Sequence, residues 1–240
     1  MRFTDLPFWL VNLMACPRCQ VPMELGVSVQ CPTCGTRFPK RKGLLDLRLG
    51  RERAHLWAIN RLPLVAKAYD IWRFRSTNLL SRGGLSVREE LDLLRDWLLP
   101  AGDPFLDVGT GTGLYREVLG ERAVGLDPSP AFLHVAQRRR PGLYLLGHGE
   151  ALPFLTGALG GVAIGPTWNE FAVPQQAMRE ARRVLRPGGR LFGMLLLGPG
   201  PALGLWRPSP GEFVNLITSF GFRPHLQTYG AVGILLAEAP

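Results

Sequence analysis

The sequence predicts an α/β fold in which helices cover both faces of a largely parallel sheet, and three observations support this. Short apolar runs without polar alternation are typical of strands buried on both faces, and they occupy residues 104–109, 122–127, 142–147, 161–165 and 190–197. Helical patterns separate several of these runs, as a doubly wound sheet requires. A glycine-rich turn directly follows the first run, where such sheets bind their ligands.

The remaining elements follow in chain order. Residues 87–99 and 175–185 carry apolar residues at three- and four-residue spacing with charged residues between them, which predicts helices with one buried face. After the fifth run, residues 210–220 predict another helix. Residues 222–229 and 231–237 then predict a pair of strands at the end of the sheet.

Length and composition leave room for a second, smaller unit. The chain has 240 residues, of which 46% are hydrophobic, enough to bury a full core. The sheet unit needs about 150 residues. We therefore predict three parts: a small domain over 1–50, a basic helical linker or cap over 51–85, and the sheet domain over 86–240.

All four cysteines lie in the N-terminal part, as two C-x-x-C pairs with eleven residues between them: Cys16, Cys19, Cys31 and Cys34. Four thiolates at this spacing can surround one tetrahedral zinc ion, which predicts a structural zinc ribbon. A disulfide pair would need an oxidising compartment, and the sequence shows no secretory signal. A redox C-x-x-C is normally a single pair. We therefore expect a cytoplasmic protein with a zinc ribbon and no membrane segment.

The glycine-rich turn predicts a nucleotide-type site. It reads Asp107-Val108-Gly109-Thr110-Gly111-Thr112-Gly113, and a second acid, Asp127, closes the next apolar run. Glycine lets bare backbone approach a ligand, and an acid on the neighbouring strand can reach ribose hydroxyls. The spacing differs from the G-x-G-x-x-G of dinucleotide sites. A phosphate is also a poor neighbour for Asp107.

The turn resembles motif I of the class I S-adenosylmethionine-dependent methyltransferases. Three further blocks with family resemblance follow in the same order: Leu126-Asp127-Pro128-Ser129, Gly147-His148-Gly149-Glu150-Ala151-Leu152-Pro153-Phe154 and Arg183-Val184-Leu185-Arg186-Pro187-Gly188-Gly189-Arg190. The resemblance covers roughly residues 86–238. It implies a Rossmann-like, seven-stranded doubly wound sheet with S-adenosylmethionine as the cofactor.

The resemblance also implies roles for individual residues. Asp107 would position the amino-acid end of the cofactor, and Asp127 would accept hydrogen bonds from both ribose hydroxyls. The full set of implied cofactor residues is Asp107, Gly109, Thr110, Gly111, Gly113, Asp127, Pro128, His148, Gly149 and Glu150. Chemistry in this family is a direct displacement, in which the acceptor attacks the methyl carbon in line, so positioning matters more than acid–base machinery.

Two positions differ from the family pattern around the cofactor. Where the family has an acid for the adenine amino group, this chain has His148. A neutral histidine could accept that hydrogen bond, or the backbone around Gly149 could recognise adenine while His148 lies in solvent. The family's F-D-x-V at the fourth strand is Leu159-Gly160-Gly161-Val162 here, without an acid.

The segment after the fourth strand also departs from the family. Amino-group methyltransferases carry an Asn/Asp-Pro-Pro-aromatic loop there, and Gly165-Pro166-Thr167-Trp168 matches only the first proline and the aromatic residue. Asn169 or Glu170 could substitute for the missing acceptor. Glu170 could instead supply a favourable charge at the start of the next helix. Asn169, Glu170 and Tyr69 are the candidate catalytic residues.

The acceptor is left open between two classes. Residues 37–82 hold twelve Arg or Lys and three acids, interleaved with aromatic residues, which favours RNA. The ribbon also resembles the small subunits that activate RNA and release-factor methyltransferases, and the zinc modules of ribosomal RNA guanine methyltransferases. The region around Tyr69 and Trp72 instead resembles the cap of small-molecule methyltransferases, in which both would line an acceptor pocket. A small molecule is slightly favoured, RNA base methylation is second, and a degenerate fold acting as a binding module is third.

Overall fold

The computed structural model describes residues 6–26, 28–49, 62–200 and 204–240. The N-terminal part contains a short helix, α1 (Phe8–Val11), and a three-stranded antiparallel sheet of β1 (Glu24–Leu25), β2 (Val29–Gln30) and β3 (Arg37–Phe38). The next two strands, β4 (Lys40–Arg41) and β5 (Leu44–Asp46), belong to the main sheet.

Helices and strands then alternate as the sequence predicts. Two helices, α2 (Pro63–Leu80) and α3 (Val87–Leu98), precede the first central strand. The central elements are β6 (Phe105–Val108), α4 (Arg116–Leu119), β7 (Ala123–Asp127), α5 (Pro130–Arg139), β8 (Leu143–Leu146), β9 (Leu159–Ile164), α6 (Pro174–Val184) and β10 (Leu185–Leu196). The chain ends with α7 (Pro210–Ser219), β11 (Arg223–Tyr229) and β12 (Val232–Glu238).

The main sheet has nine strands in the order β11-β12-β10-β9-β6-β7-β8-β5-β4. The strands from β10 to β5 in this order run parallel, and β12, β11 and β4 are antiparallel to their neighbours. The seven predicted strands are all present, and β5 and β4 extend the sheet beyond β8. In this order β7 lies on one side of β6 and β9 lies on the other. The chain therefore changes direction across the sheet at β6, and the carboxyl end of β6 is the topological switch point.

Local sequence sets the helices that surround this point. In α3, the Glu89 amide donates to Ser86 Oγ and the Ser86 amide donates to Glu89 Oε2, which together form a capping box. In α5, Ser129 caps the helix and Pro130 occupies its first turn, so the helix begins directly after β7 ends at Asp127. The end of β7 and the start of α5 therefore lie side by side at the edge of the sheet formed by the carboxyl ends of the parallel strands, which we call the ligand edge.

The N-terminal part and the main sheet share one hydrophobic core. Leu10, Met14, Phe38 and Leu47 belong to the same buried cluster as Leu106, Val124 and Leu145 of the central strands. Backbone bridges reinforce the contact, since the Ala15 amide donates to the Pro153 carbonyl and the Leu155 amide donates to the Leu13 carbonyl. The division at residues 50 and 85 stays a prediction, and residues 51–61 of the predicted linker lie outside the described residues.

Within the described part of the chain, no helix is both long and apolar enough to cross a membrane.

Candidate functional site

The glycine-rich loop after β6 needs glycine because its neighbours approach its backbone closely. Gly109, Gly111 and Gly113 have φ values of 67°, 54° and 80°, in the left-handed region that side chains rarely adopt. A Cβ atom at Gly109 would also collide with the Thr167 side chain, and one at Gly113 would press against the Tyr144 hydroxyl. The loop is thus a bare-backbone surface at the switch point.

Asp127 lies at the end of β7 beside this loop. Its Oδ2 accepts a hydrogen bond from the Gly111 amide at 2.9 Å, and its Oδ1 accepts one from the Ser129 amide at 2.8 Å. Burial raises the pKa of Asp127 to about 7 against the opposing effect of the two amides. Each carboxylate oxygen has a second lone pair, so both retain the capacity to accept a hydroxyl from a ligand.

Asp107 lies at the end of β6 and lines the cleft between the loop and α2. Its Oδ2 accepts a hydrogen bond from the Thr110 hydroxyl at 2.5 Å. Burial raises the pKa of Asp107 to about 7, and the charge of Asp127 adds to the effect. The structure therefore brings both predicted acids to one edge of the sheet.

Helix α2 covers the glycine loop. The cleft between them is bounded by Tyr69, Asp70 and Arg73 of α2, by the loop, and by Gly165 and Pro166 after β9. The ring of Tyr69 meets that of Phe132 edge-on at 5.1 Å. Burial raises the pKa of Tyr69, so its phenol is protonated at neutral pH.

Ion pairs fix α2 in place, and the sequence analysis missed them. Asp70 pairs with Arg139 at 2.9 Å and with Arg140 at 3.1 Å, and it accepts a hydrogen bond from the Thr112 hydroxyl of the loop. These bonds join helix α2 directly to the glycine-rich loop and to α5. The sequence signal that could have revealed these contacts is the helical spacing of Ala66, Asp70, Arg73 and Thr77. This spacing puts polar residues on one face of a helix whose other face is apolar.

A second buried ion pair joins α2 to α3. Arg73 donates to both Oε atoms of Glu90 at 2.6 Å, and the Tyr115 hydroxyl donates to the same carboxylate. Arg73 is 4% exposed and Glu90 is fully buried. Because Arg73 and Tyr115 also line the cleft, this pair forms part of its wall.

Of the residues predicted at the adenine end, His148 and Gly149 are buried and Glu150 is half-buried. His148 is only 5% exposed, so the alternative that places it in solvent is wrong. Burial lowers the pKa of His148 to about 4, and the nearby charge of Arg48 acts in the same direction, so the imidazole is neutral. Glu150 Oε1 accepts a hydrogen bond from the Ala172 amide at 2.9 Å, in the segment that leads into α6.

The candidate catalytic residues differ in their surroundings. Asn169 Nδ2 donates to the carbonyls of Leu196 and Trp206 at 2.8 and 2.6 Å, and its Oδ1 accepts from the Leu196 amide at 2.8 Å, so the amide holds the end of β10. Glu170 ends the 3-10 turn Pro166–Glu170, whose first residue, Pro166, borders the cleft.

One predicted pocket residue lies outside the cleft. Trp72 is 58% exposed, so the prediction that it lines the cleft together with Tyr69 is wrong. Its ring packs against the outer side of the Tyr69 ring, with 5.6 Å between the ring centroids, and the exposed surface of α2 also includes Leu64, Ile71 and Leu79.

The four cysteines meet in the N-terminal part. Their Sγ atoms all lie within 4.8 Å of one another, and Cys16 Sγ and Cys34 Sγ are 3.9 Å apart. Four thiolates bound to one zinc ion at about 2.3 Å lie roughly 3.8 Å from each other, so this donor set fits tetrahedral zinc. Cys34 Sγ also lies 3.1 Å from the Thr36 hydroxyl oxygen, within hydrogen-bond distance.

The central strands of this chain are similar to those of known methyltransferases. Residues 106–193 match the profile of a methyltransferase domain. A Mycobacterium bovis protein named as an uncharacterized methyltransferase is 41% identical over 125 residues, which cover 50% of this chain and 50% of that protein. A Thermus thermophilus demethylmenaquinone methyltransferase is 40% identical over 109 residues, or 41% of this chain and 49% of that protein. The chain spans about half the length of these curated relatives.

Solved structures share the fold at low identity. A Thermotoga maritima S-adenosylmethionine-dependent methyltransferase, described as a possible histamine N-methyltransferase, has a TM-score of 0.60 at 20% identity, covering 78% of this chain and 100% of that chain. A complex of the Haloferax volcanii Trm112 methyltransferase activator with a methyltransferase contains a chain with a TM-score of 0.60 at 18% identity, covering 74% of this chain and 97% of that chain. Residues 106–193 therefore match the methyltransferase domain profile, and the chain has the fold of the S-adenosylmethionine-dependent methyltransferases.

Proposed function

We propose that this protein transfers a methyl group from S-adenosylmethionine to a small-molecule acceptor by direct displacement. The observation that carries the proposal is the placement of Asp127, whose carboxylate lies at the switch point against the bare backbone of Gly111. A carboxylate fixed there can accept both hydroxyls of a ribose. The buried Asp107 and the glycine loop supply the neighbouring surface for the amino-acid end.

The proposed cofactor residues divide along the ligand edge. Asp107, Gly109, Thr110, Gly111 and Gly113 would hold the amino-acid end. Asp127 and Pro128 would hold the ribose, and His148, Gly149 and Glu150 would surround the adenine. The cofactor supplies a methyl group on a positively charged sulfur, which leaves as a neutral thioether.

The protein's own part in the reaction is positioning and exclusion of water. Helix α2 closes over the glycine loop through the ion pairs of Asp70, which shields the cleft. Holding the two reacting atoms in line supplies most of the acceleration in such a displacement. Among the candidate catalytic residues, the Asn169 side chain is occupied by hydrogen bonds to the end of β10, and Tyr69 stays protonated, so neither can accept a proton. Glu170 is therefore the candidate for receiving a proton from the acceptor.

The charge of the basic segment does not decide between a small molecule and RNA. Arg73 pairs with the buried Glu90 and Arg48 pairs with Asp46. A surface for phosphates needs exposed basic side chains, and Arg37, Arg41, Lys42, Lys67, Arg75 and Arg82 are exposed. The demethylmenaquinone methyltransferase relative acts, by its name, on a small molecule, which supports the same class here.

We also propose that Cys16, Cys19, Cys31 and Cys34 bind one structural zinc ion. The clustering of their four Sγ atoms within 4.8 Å supports this. The ion would hold the ribbon together, because a module of this size has little core of its own.

The first test is calorimetric titration with S-adenosylhomocysteine of the wild type, Asp127→Ala and the control Asp92→Ala, whose carboxylate is 51% exposed on α3. We expect micromolar binding by the wild type and the control, and at least about a hundredfold weaker binding by Asp127→Ala, because two charge-assisted hydrogen bonds are lost. A folded wild type that fails to bind at millimolar ligand would contradict the proposal and favour the binding-module hypothesis.

A further inference from the structure

The N-terminal part reaches the ligand edge of the main sheet through β5. This strand pairs with β8 in parallel, with Leu45 opposite Leu145 and Asp46 opposite Leu146. The Leu47 amide continues the ladder by donating to the Leu146 carbonyl at 2.8 Å. Carboxyl ends of parallel strands meet at one edge of a sheet, where α/β folds bind ligands. The residues that follow β5 therefore emerge beside those that follow β7 and β8.

Arg48 is the side chain that this geometry brings to the edge. Its Nε and Nη2 donate to the two carboxylate oxygens of Asp46 at 2.8 and 2.7 Å. Its Nη1 donates to the Pro128 carbonyl at 3.1 Å. Asp46 is 9% exposed, and the Arg48 side chain is 21% exposed. The two hydrogen bonds that Arg48 donates to Asp46 fix the plane of the guanidinium, so the bond that its Nη1 donates to Pro128 has a defined direction.

The atom that Arg48 holds belongs to the proposed adenosine site. Pro128 directly follows Asp127 and directly precedes the N-cap of α5, Ser129. His148 follows two residues after Leu146, the last residue of β8, which pairs with Asp46 and accepts a hydrogen bond from the Leu47 amide next to Arg48. Arg48 thus lies between the two segments that would surround ribose and adenine.

We propose that the N-terminal module forms one wall of the adenosine end of the cofactor site, with Arg48 as the positioning residue that fixes the Asp127–Pro128 backbone. This rests on the proposed function. It makes recognition of adenosine depend on residues outside the matched methyltransferase domain, which begins at residue 106. The amino-acid end, held by Asp107 and the glycine loop, does not depend on them.

Two ligands separate the ends of the site. S-adenosylhomocysteine carries both ends, and 5′-methylthioadenosine lacks the amino-acid group. We would titrate both into the full-length wild type, Arg48→Ala, Arg48→Lys, Asp107→Asn and the control Arg37→Ala, an exposed arginine of β3. Arg48→Ala should lower the affinity for both ligands by the same factor, about tenfold or more, because a charge-assisted hydrogen bond is lost. Arg48→Lys should recover part of the loss, and Arg37→Ala should match the wild type.

Asp107→Asn should lower the affinity for S-adenosylhomocysteine and leave that for 5′-methylthioadenosine unchanged. This result would show that the two ligands distinguish the amino-acid end from the adenosine end. Wild-type affinity of folded Arg48→Ala for 5′-methylthioadenosine would overturn the inference, as would a loss confined to S-adenosylhomocysteine. If Arg48→Ala does not fold, Arg48→Lys decides by the same comparison. Failure of the wild type to bind either ligand would instead overturn the proposed function, and the inference with it.

Discussion

At the scale of single residues, Asp107 and Asp127 are buried carboxyl groups whose hydrogen-bond donors are a hydroxyl and two backbone amides. These neutral donors do not offset the loss of hydration, so burial raises each pKa from 3.8 to about 7. The protonated forms are therefore stabilised by folding. Their contribution to the free energy of unfolding is fully present below about pH 4 and is lost as the pH rises through about 7.

Binding of the cofactor should follow the opposite trend. The ionised carboxylate of Asp127 accepts both ribose hydroxyls, whereas the protonated form uses one oxygen as a donor. We expect affinity for S-adenosylhomocysteine to be at least about tenfold higher at about pH 8 than at about pH 6, because Asp127 with a pKa near 7 gives about a factor of ten and Asp107, with the same raised pKa, adds to it. Calorimetry across this range measures it, with Asp127→Asn as the comparison. An affinity that does not change with pH in the wild type would show that Asp127 is ionised throughout.

The buried ion pair of Arg73 and Glu90 predicts that loss of Arg73 alone lowers the free energy of unfolding. Replacing Arg73 with Met leaves a buried carboxylate without its counter-charge, which should cost about 3 to 5 kcal/mol of unfolding free energy. Arg75→Ala, an exposed position on the same helix, should change it by less than about 0.5 kcal/mol. Urea denaturation compares them. The double variant Arg73→Met/Glu90→Gln should recover part of the loss, and equal losses in the single and double variants would contradict this account.

At the scale of elements, the sequence predicted most strands from their apolar runs and missed the shortest ones. Strands β6 to β10 and β12 agree with their apolar runs, whereas β11, which reads Arg-Pro-His-Leu-Gln-Thr-Tyr, was predicted as the partner of the run in β12. Strands β4 and β5 have two and three residues, and β5 pairs with a strand far along the chain, so no local signal exists. The ion pairs of α2 and the burial of His148 also depend on partners that only tertiary structure brings together.

The missing acid in β9 has a steric cause. A Cβ atom at Gly160 would overlap the carbonyl oxygen of Gly102, in the loop before β6. Glycine is therefore required by the close approach of two backbones, and its presence says nothing against cofactor binding. This removes one of the two sequence features that motivated the binding-module hypothesis.

Gly160→Ala should consequently destabilise the protein by about 2 kcal/mol or more, since the added methyl group meets backbone that cannot rotate away. The matched control is Gly211→Ala in the first turn of α7, where no atom lies within 4 Å of the added Cβ. That change should be neutral or stabilising by up to about 1 kcal/mol. Denaturant midpoints measure both. Equal midpoints for Gly160→Ala and the wild type would mean that the loop at Gly102 yields easily.

At the scale of the whole molecule, the shared core joins the N-terminal part to the main sheet. Met14 and Phe38 pack in the same cluster as Leu106 and Val124, so neither part has a complete core alone. Trimming the first 50 residues would therefore expose apolar surface and the edge of β8. Loss of activity after such trimming would not by itself indicate RNA binding by the ribbon.

The shared core predicts one cooperative thermal transition that depends on the proposed metal. Cys31→Ser should lower bound zinc well below one ion per chain and lower the melting temperature of the whole protein, whereas Arg18→Ala, an exposed neighbour of the first cysteine pair, should leave both unchanged. Differential scanning calorimetry and metal analysis measure these effects. Two separate transitions, with the upper one unaffected by Cys31→Ser, would contradict a single folding unit.

The pairing of Leu45 with Leu145 also sets an order of events during synthesis. Strand β5 leaves the ribosome one hundred residues before the strand it must join, an interval of about 5 to 20 s at ordinary rates of translation. During that time β5 has an unpaired edge that could bind another nascent chain. A ribbon that folds on its proposed metal would hold this strand in a fixed place until β8 arrives, so the supply of zinc would affect how much of the newly made chain reaches its native sheet.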